Sequence, residues 1–217
     1  MFASESLSII ERMPSMRDPY LFEDVRVLKN LLGIKDADAL ERAEADITYL
    51  RLYAIDEAVQ GEGFDMQRLL AIHKHIFDDI YEWAGTIRNI PMVKGERILG
   101  GDTVRYSQPD DIGCDCDTVF EKLNATDWTV LGVRETAEVF TKMIAELWQV
   151  HPFREGNTRT VMTFATQFAE EHGFRMDKTL LKDSAAYVRD ALVKASDGQY
   201  SEYDYLVKII EDSIRRG

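Results

Sequence analysis

The chain has 217 residues, 45% hydrophobic and 30% charged, a balance that fits one well-cored globular domain and excludes a disordered chain. Its 39 Asp and Glu outnumber its 26 Lys and Arg, and the formal charge of −13 repels phosphate backbones, which argues against direct nucleic-acid binding. The start, Met1-Phe2-Ala3-Ser4-Glu5, lacks a basic stretch followed by an apolar run, and no apolar span is long enough for a membrane helix, so the expectation is a soluble cytoplasmic protein without a secretory signal and without a membrane partner.

Apolar residues at helical spacing dominate. They predict a helix from Tyr20 to Leu32 (Leu21, Val25, Leu28, Leu31, Leu32), stopped by Gly33. A second runs from Asp36 to about Ala58 with Leu40, Ala43, Ile47, Leu50 and Ala54 on one face, and a third from Asp65 to about Ile80. Between Gly85 and Pro109 the pattern changes to short β-prone pieces around Gly95, Gly100 and Gly101, which predicts a hairpin with Pro91 on an edge. Helical spacing returns over Asp110–Leu123, Arg134–Gln149, Asn157–His172, Thr179–Ala195 and Ser201–Ile214. Cys114 and Cys116, two positions apart, diverge by roughly 200° on a helix, which suits free thiols of a reducing compartment better than a shared metal or a disulfide.

The stretch His151-Pro152-Phe153-Arg154-Glu155-Gly156-Asn157-Thr158-Arg159 lies between two predicted helices. Pro152 ends the first of them. The restart beyond Gly156 and Asn157 leaves backbone N–H groups and a positive dipole end facing the loop, a natural anion site. Gly156 permits close backbone approach, and Asn157 is a good N-cap residue. Arg159 can add a charge-assisted bond to a phosphate oxygen. Glu155 beside that anion site makes sense as a ligand of Mg²⁺ that bridges two phosphates. His151, with an imidazole near neutrality, can accept the proton of an incoming hydroxyl. Phe153 is expected in the core and Arg154 in solvent.

This string resembles the Fic family pattern His-Pro-Phe-x-(Asp/Glu)-Gly-Asn-x-Arg at every specified position. The likeness extends through Phe64-Asp65, Leu69, Ile72-His73, Phe77 and Ile80-Tyr81-Glu82-Trp83-Ala84-Gly85-Thr86-Ile87-Arg88, which are similar to the helix and turn leading into that family's flap. Arg17-Asp18-Pro19-Tyr20, Asn30, Leu32-Gly33-Ile34 and Leu40-Glu41 resemble the stand-alone bacterial Fic toxins paired with an antitoxin. The resemblance implies a mainly α Fic fold, a helical bundle with one β-hairpin flap. It covers a single domain over 1–217, with its core about 60–200, N-terminal helices 20–58 packed on it and the flap about 89–106. It implies a protein adenylyltransferase that moves AMP from Mg²⁺-bound ATP to a hydroxyl side chain of a target protein. His151 would be the general base, Glu155 the Mg²⁺ ligand, Gly156, Asn157, Thr158 and Arg159 the nucleotide-binding residues, and Pro152 and Phe153 structural. The flap would align the target by strand addition. Type II topoisomerase subunits are the first target candidates on this likeness, and a small antitoxin supplying an inhibitory Glu is the expected partner.

Two positions depart from the pattern. The family's second Arg, three residues after the first and directed at the γ-phosphate, is Met162 here, and Thr158 stands where glycine is common. Losing a charged phosphate contact costs roughly 1.5–3 kcal/mol of triphosphate binding. The family's inhibitory (Ser/Thr)-x-x-x-Glu-(Gly/Asn) string has no good equivalent. Ala58-Val59-Gln60-Gly61-Glu62-Gly63 lacks the hydroxyl and carries a helix-breaking glycine, which points to restraint by a separate chain. The alternatives are a Fic-fold transferase with another donor (UMP, phosphocholine, or a γ-phosphoryl group) and a weakly active Fic scaffold.

Overall fold

The apolar periodicity becomes a helical body. The computed structural model describes residues 18–61 and 63–216, and its helices are α1 (Ala37–Tyr53), α2 (Ile55–Ala58), α3 (Met66–Phe77), α4 (Ile112–Ala125), α5 (Val133–Val150), α6 (Asn157–Glu171), α7 (Lys178–Asp183), α8 (Ala185–Ala195) and α9 (Asp204–Ser213). Met1 to Glu5, Arg17 and Glu62 lie outside the described residues. Aspartates start three helices: Asp36, Asp65 and Asp177 accept the backbone N–H three positions on, from Ala39 (2.8 Å), Arg68 (3.0 Å) and Leu180 (2.9 Å).

α5 is the axis, packed against α4, α6 and α9. Its Phe140, Ile144, Leu147 and Trp148 meet Val161, Phe164 and Phe168 of α6, while Leu69, Ile72, Ile76 and Phe77 of α3 close the same core. Burying each such side chain is worth about 1.5–3 kcal/mol, so these three helices hold the loop between α5 and α6 rigidly. No helix among the described residues is long and apolar enough to cross a membrane.

Several expectations change. Residues 20–32 form no helix. The segment folds back, with Phe22 N–H donating to Val27 C=O (2.9 Å) and Lys29 N–H to Tyr20 C=O (2.7 Å). Side chains outcompete the helix for the backbone: Asp18 accepts Tyr20 N–H (2.9 Å), and Asn30 donates to Leu28 C=O (2.8 Å) and Ile34 C=O (2.7 Å) while accepting Ile34 N–H (2.9 Å). The expected helix from Asp36 to Ala58 breaks at Ala54, and its expected apolar face is buried only in part: Leu40 is in the core and Ile47 packs against it, but the face turns to solvent at Leu50 and Ala54. Leu50 is 69% exposed, while the inward stripe is Leu40, Glu44 and Thr48. The expected helix over Thr179–Ala195 divides at Ser184 into α7 and α8.

The segment 89–106 doubles back as expected, but as a loop without strands. Its tip is closed by Glu96 N–H to Asp102 C=O (2.8 Å) and Gly101 N–H to Glu96 C=O (3.0 Å), around a 3₁₀ turn at Arg97–Leu99. Lys94 N–H turns to the Thr103 hydroxyl (3.2 Å) rather than to a carbonyl across the loop. The sheet lies elsewhere: β1 (Phe174–Met176) pairs antiparallel with β2 (Ile214–Arg216), joining the end of α6 to the end of α9. Cys116 is buried on α4 and Cys114 is exposed, so the two thiols share no site.

Candidate active site

The loop between α5 and α6 is held by residues far away in the chain. α5 ends with His151 in the left-handed region (φ 54°, ψ 59°), a conformation that costs a non-glycine residue roughly 1 kcal/mol or more and needs external support. Arg88, 1% exposed, supplies it. Its guanidinium donates to the carbonyls of His151 (2.7 Å), Ile90 (2.7 Å), Ser107 (2.6 Å) and Val150 (3.3 Å), so one buried cation ties both stems of the flap to the end of α5. Carbonyl dipoles at a helix C-terminus suit a cation, which is how this charge tolerates burial.

His73 holds the loop from the other side. Fully buried, it stacks on Phe153 (3.8 Å between ring centres), accepts Gly85 N–H at Nδ1 (2.8 Å) and donates from Nε2 to Glu155 C=O (3.1 Å). Burial pushes its pKa down to about 4, so the ring is neutral, as this donor–acceptor pattern requires. Above pH 6.5 the folded and unfolded rings are both neutral and the contribution is complete. As pH falls from 6.5 to 4 the unfolded chain takes up a proton that the native state refuses, and about 3 kcal/mol is lost. Thermal unfolding measured between pH 7 and 4 should show this decline, and His73→Gln should flatten it.

Phe153 is wholly buried, as its sequence context suggests, and Pro152 accepts Arg88 N–H (2.9 Å). Arg154 is not solvated: it pairs with Asp18 (2.7 Å) and fastens the N-terminal segment to the loop. Asn157 is the first residue of α6 and not its cap. Its side chain accepts Phe153 N–H (2.9 Å) and returns a bond to Phe153 C=O (2.8 Å). The cap is Gly156 (φ 80°), and glycine is obligatory there because a Cβ would overlap the Phe77 ring.

These restraints present a cavity of about 230 Å³ walled by His151, Glu155, Gly156, Asn157, Thr158 and Arg159, with Lys94, Trp148 and Arg189. Pro152 and Phe153 lie behind it. Both His151 ring nitrogens are buried without a hydrogen-bond partner, a condition shared among the described residues only by Trp83 Nε1 and Thr141 Oγ1. Buried polar atoms are nearly always paired, so an orphaned ring on a cavity wall marks a place for a ligand. The sequence suggests a His151 pKa near neutrality. Burial, with Lys94 adding to it, pushes it well below that range, so the base form prevails at neutral pH.

Glu155, a third exposed, accepts Gly156 N–H (2.9 Å) and faces Lys94 (3.4 Å). Burial pulls its pKa up, but Lys94, that N–H and Arg159 outweigh burial and hold it at about 2. Among the described residues no group of three or more His, Cys, Asp and Glu is placed around a metal. A single ionised carboxylate on the cavity wall still fits Mg²⁺, which keeps most of its waters and takes one or two carboxylates beside phosphate oxygens. Thr158 accepts the indole N–H of Trp148 (2.9 Å), a contact that glycine could not make. Arg159, on the cavity wall, donates to Glu44 and to Thr48 (3.1 Å) of α1, with its guanidinium over the Phe77 ring. Met162 is half-buried against the core and does not line the cavity.

Sequence reasoning missed Lys94, Arg189, Glu44 and the support from Arg88 and His73. Arg189 pairs with the buried Glu96 of the flap (2.8 Å). The wall therefore carries three cations against one carboxylate, in a protein of formal charge −13. A larger cavity, about 440 Å³, opens beyond Tyr106 and Val150 beside Asp111, Asp115 and Glu146; none of the residues from His151 to Arg159 lines it.

A model of the Fic/DOC family matches residues 63–169. Over 200 residues the chain is 34% identical to protein adenylyltransferase VbhT of Bartonella schoenbuchensis, covering 91% of this chain and 39% of that protein. It is 31% identical over 191 residues to the probable protein adenylyltransferase y4lH of Sinorhizobium fredii, covering 86% of this chain and 92% of that one. In fold it is similar to the BepC effector protein of Bartonella tribocorum, solved with bound AMPPNP, at a TM-score of 0.79 and 22% identity, covering 94% of this chain and 100% of that chain.

Proposed function

The chain belongs to the Fic/DOC family, and on that premise we propose that it is a protein adenylyltransferase that moves AMP from ATP to a hydroxyl side chain of a target protein. One observation carries this reading: the unpartnered, neutral His151 ring shares a cavity wall with the start of α6 and with Glu155 and Arg159. The target's Ser, Thr or Tyr oxygen attacks the α-phosphorus while His151 accepts its proton; the bond from the α-phosphorus to the α,β-bridging oxygen breaks, and pyrophosphate leaves. Backbone N–H groups of Asn157, Thr158 and Arg159, which lack partners within the helix, face the phosphates, and Arg159 adds charge. Glu155 would hold Mg²⁺, which offsets phosphate charge when bound. The excess of cations on the wall suits a polyanionic donor. The flap stems, free of a ladder among the described residues, suit an incoming strand of the target.

The reading extends to a cytoplasmic toxin restrained by a separate antitoxin, with a type II topoisomerase subunit as first target; the likeness to stand-alone Fic toxins supports it. Met162 favours one alternative, a diphosphate-linked donor without a γ-phosphate, such as a phosphocholine donor. Incubation with lysate, Mg²⁺ and ATP labelled at the α- or γ-phosphate separates the two. Label from the α position alone is expected. Label from the γ position, or transfer only from another donor, would replace AMP transfer.

A further inference from the structure

α1 belongs to no part of the His151–Arg159 motif, yet it supplies the contacts that orient Arg159. One guanidinium nitrogen, Nη2, donates to Glu44 Oε1; the other, Nη1, donates to Thr48 Oγ1 (3.1 Å). The Phe77 ring lies under the guanidinium at 4.8 Å. Glu44 is itself fixed, because the Tyr81 hydroxyl donates to its second oxygen. Burial, with Glu44 beside it, pushes the Tyr81 pKa up, so this hydroxyl stays a donor. Tyr81 in turn stacks on Trp83 (4.3 Å).

We propose that Glu44, together with Thr48, is a positioning residue that holds the Arg159 guanidinium against the cavity for the phosphates of the donor. This rests on the phosphate-binding reading above. Long arginine side chains lose much rotamer freedom when they bind, and a guanidinium oriented in advance has already given it up. Glu44 is not placed as a blocking group. It does not line the cavity, its side chain is only 13% exposed, and both its oxygens are occupied behind Arg159. α1 thus stands behind the phosphate site and reaches it only through Arg159, with Glu44 and Thr48 on its inward side beside the buried Leu40 and the partly buried Ile47.

The test uses the full chain, with Mg²⁺-bound inorganic pyrophosphate and Mg²⁺-bound ATP as probes in calorimetry, and AMP transfer for kcat and KM. Glu44→Ala is expected to weaken pyrophosphate roughly tenfold and raise KM for ATP similarly, with kcat within about threefold. Glu44→Gln and Thr48→Val, which disturb packing less, should fall between Glu44→Ala and the parent. In an Arg159→Ala background, Glu44→Ala should change pyrophosphate affinity less than about twofold, because its effect passes through the arginine. Full additivity in that background, or unchanged affinity in Glu44→Ala, would overturn the proposal. A rise in transfer would make Glu44 an internal inhibitor instead. ATP binding no tighter than UTP or CTP would undo the adenine donor, while the pyrophosphate comparison would still decide the role of Glu44.

Discussion

His151→Ala is expected to lower AMP transfer roughly 10²- to 10⁴-fold while nucleotide affinity stays within about twofold. The ring is the only group on the cavity wall that can accept a proton while neutral; Glu155 is ionised but held near pKa 2, too weak a base for an alcohol. Its neighbours on the cavity wall, Glu155, Asn157, Thr158 and Arg159, are untouched by the substitution. Alanine at φ 54° also carries backbone strain, so His151→Asn is the cleaner companion, since Asn enters the left-handed region more readily. Both variants should lose transfer and keep nucleotide binding by calorimetry. The parent's pH–rate profile should report the same ring. Because burial lowers the His151 pKa, the base form survives into mildly acid solution, and the acid limb of kcat/KM should lie below pH 6.5. Full transfer by both variants would remove His151 from the mechanism.

Arg88→Met should cost about 4 kcal/mol, read as a lower urea midpoint at unchanged slope. The methionine keeps most of the volume but leaves the carbonyls of His151, Ile90, Ser107 and Val150 without their common donor. Hydrogen bonds to a charged group are worth about 1.5–3 kcal/mol each, and three of the four are short. Arg88→Lys should recover less than half, because an ammonium cannot span carbonyls on the flap and on α5 with a planar fork. Transfer should fall further than stability in both, since the left-handed His151 backbone and the flap stems depend on the same side chain. A variant as stable as the parent would mean that these carbonyls find other donors.

The candidate site was readable in sequence where its parts are neighbours in the chain. A base, a carboxylate, a glycine and an arginine between two helical patterns mark a loop that can meet phosphate, and these residues do share one cavity wall. Their supports were not readable. Arg88 reaches His151 across 63 positions and Glu44 reaches Arg159 across 115, and nothing local in either stretch points to its partner. A faint signal existed in α1: Glu44 and Thr48 are polar at positions one turn apart on the stripe that begins with the buried Leu40. Residues 20–32 failed for the opposite reason. Their leucines are spaced like a helix, but Asp18 and Asn30 offer the backbone nearer partners, and two of those leucines, Leu31 and Leu32, end up exposed.

By itself, the sequence determined the helical class, the apolar residues that build α3, α5 and α6, and the chemistry available between His151 and Arg159. These depend on residue type and short spacing, which a linear chain carries in full. Only the tertiary structure decided the protonation of His151, the direction of Arg159, the need for glycine at 156 and the inward placing of Glu44 and Thr48 on α1. A pKa depends on what excludes water from a ring, and a guanidinium points where its partners lie. Here the water is excluded by Tyr106 and Trp148, and the partners are Glu44 and Thr48, all brought in from other segments by the packing of the core.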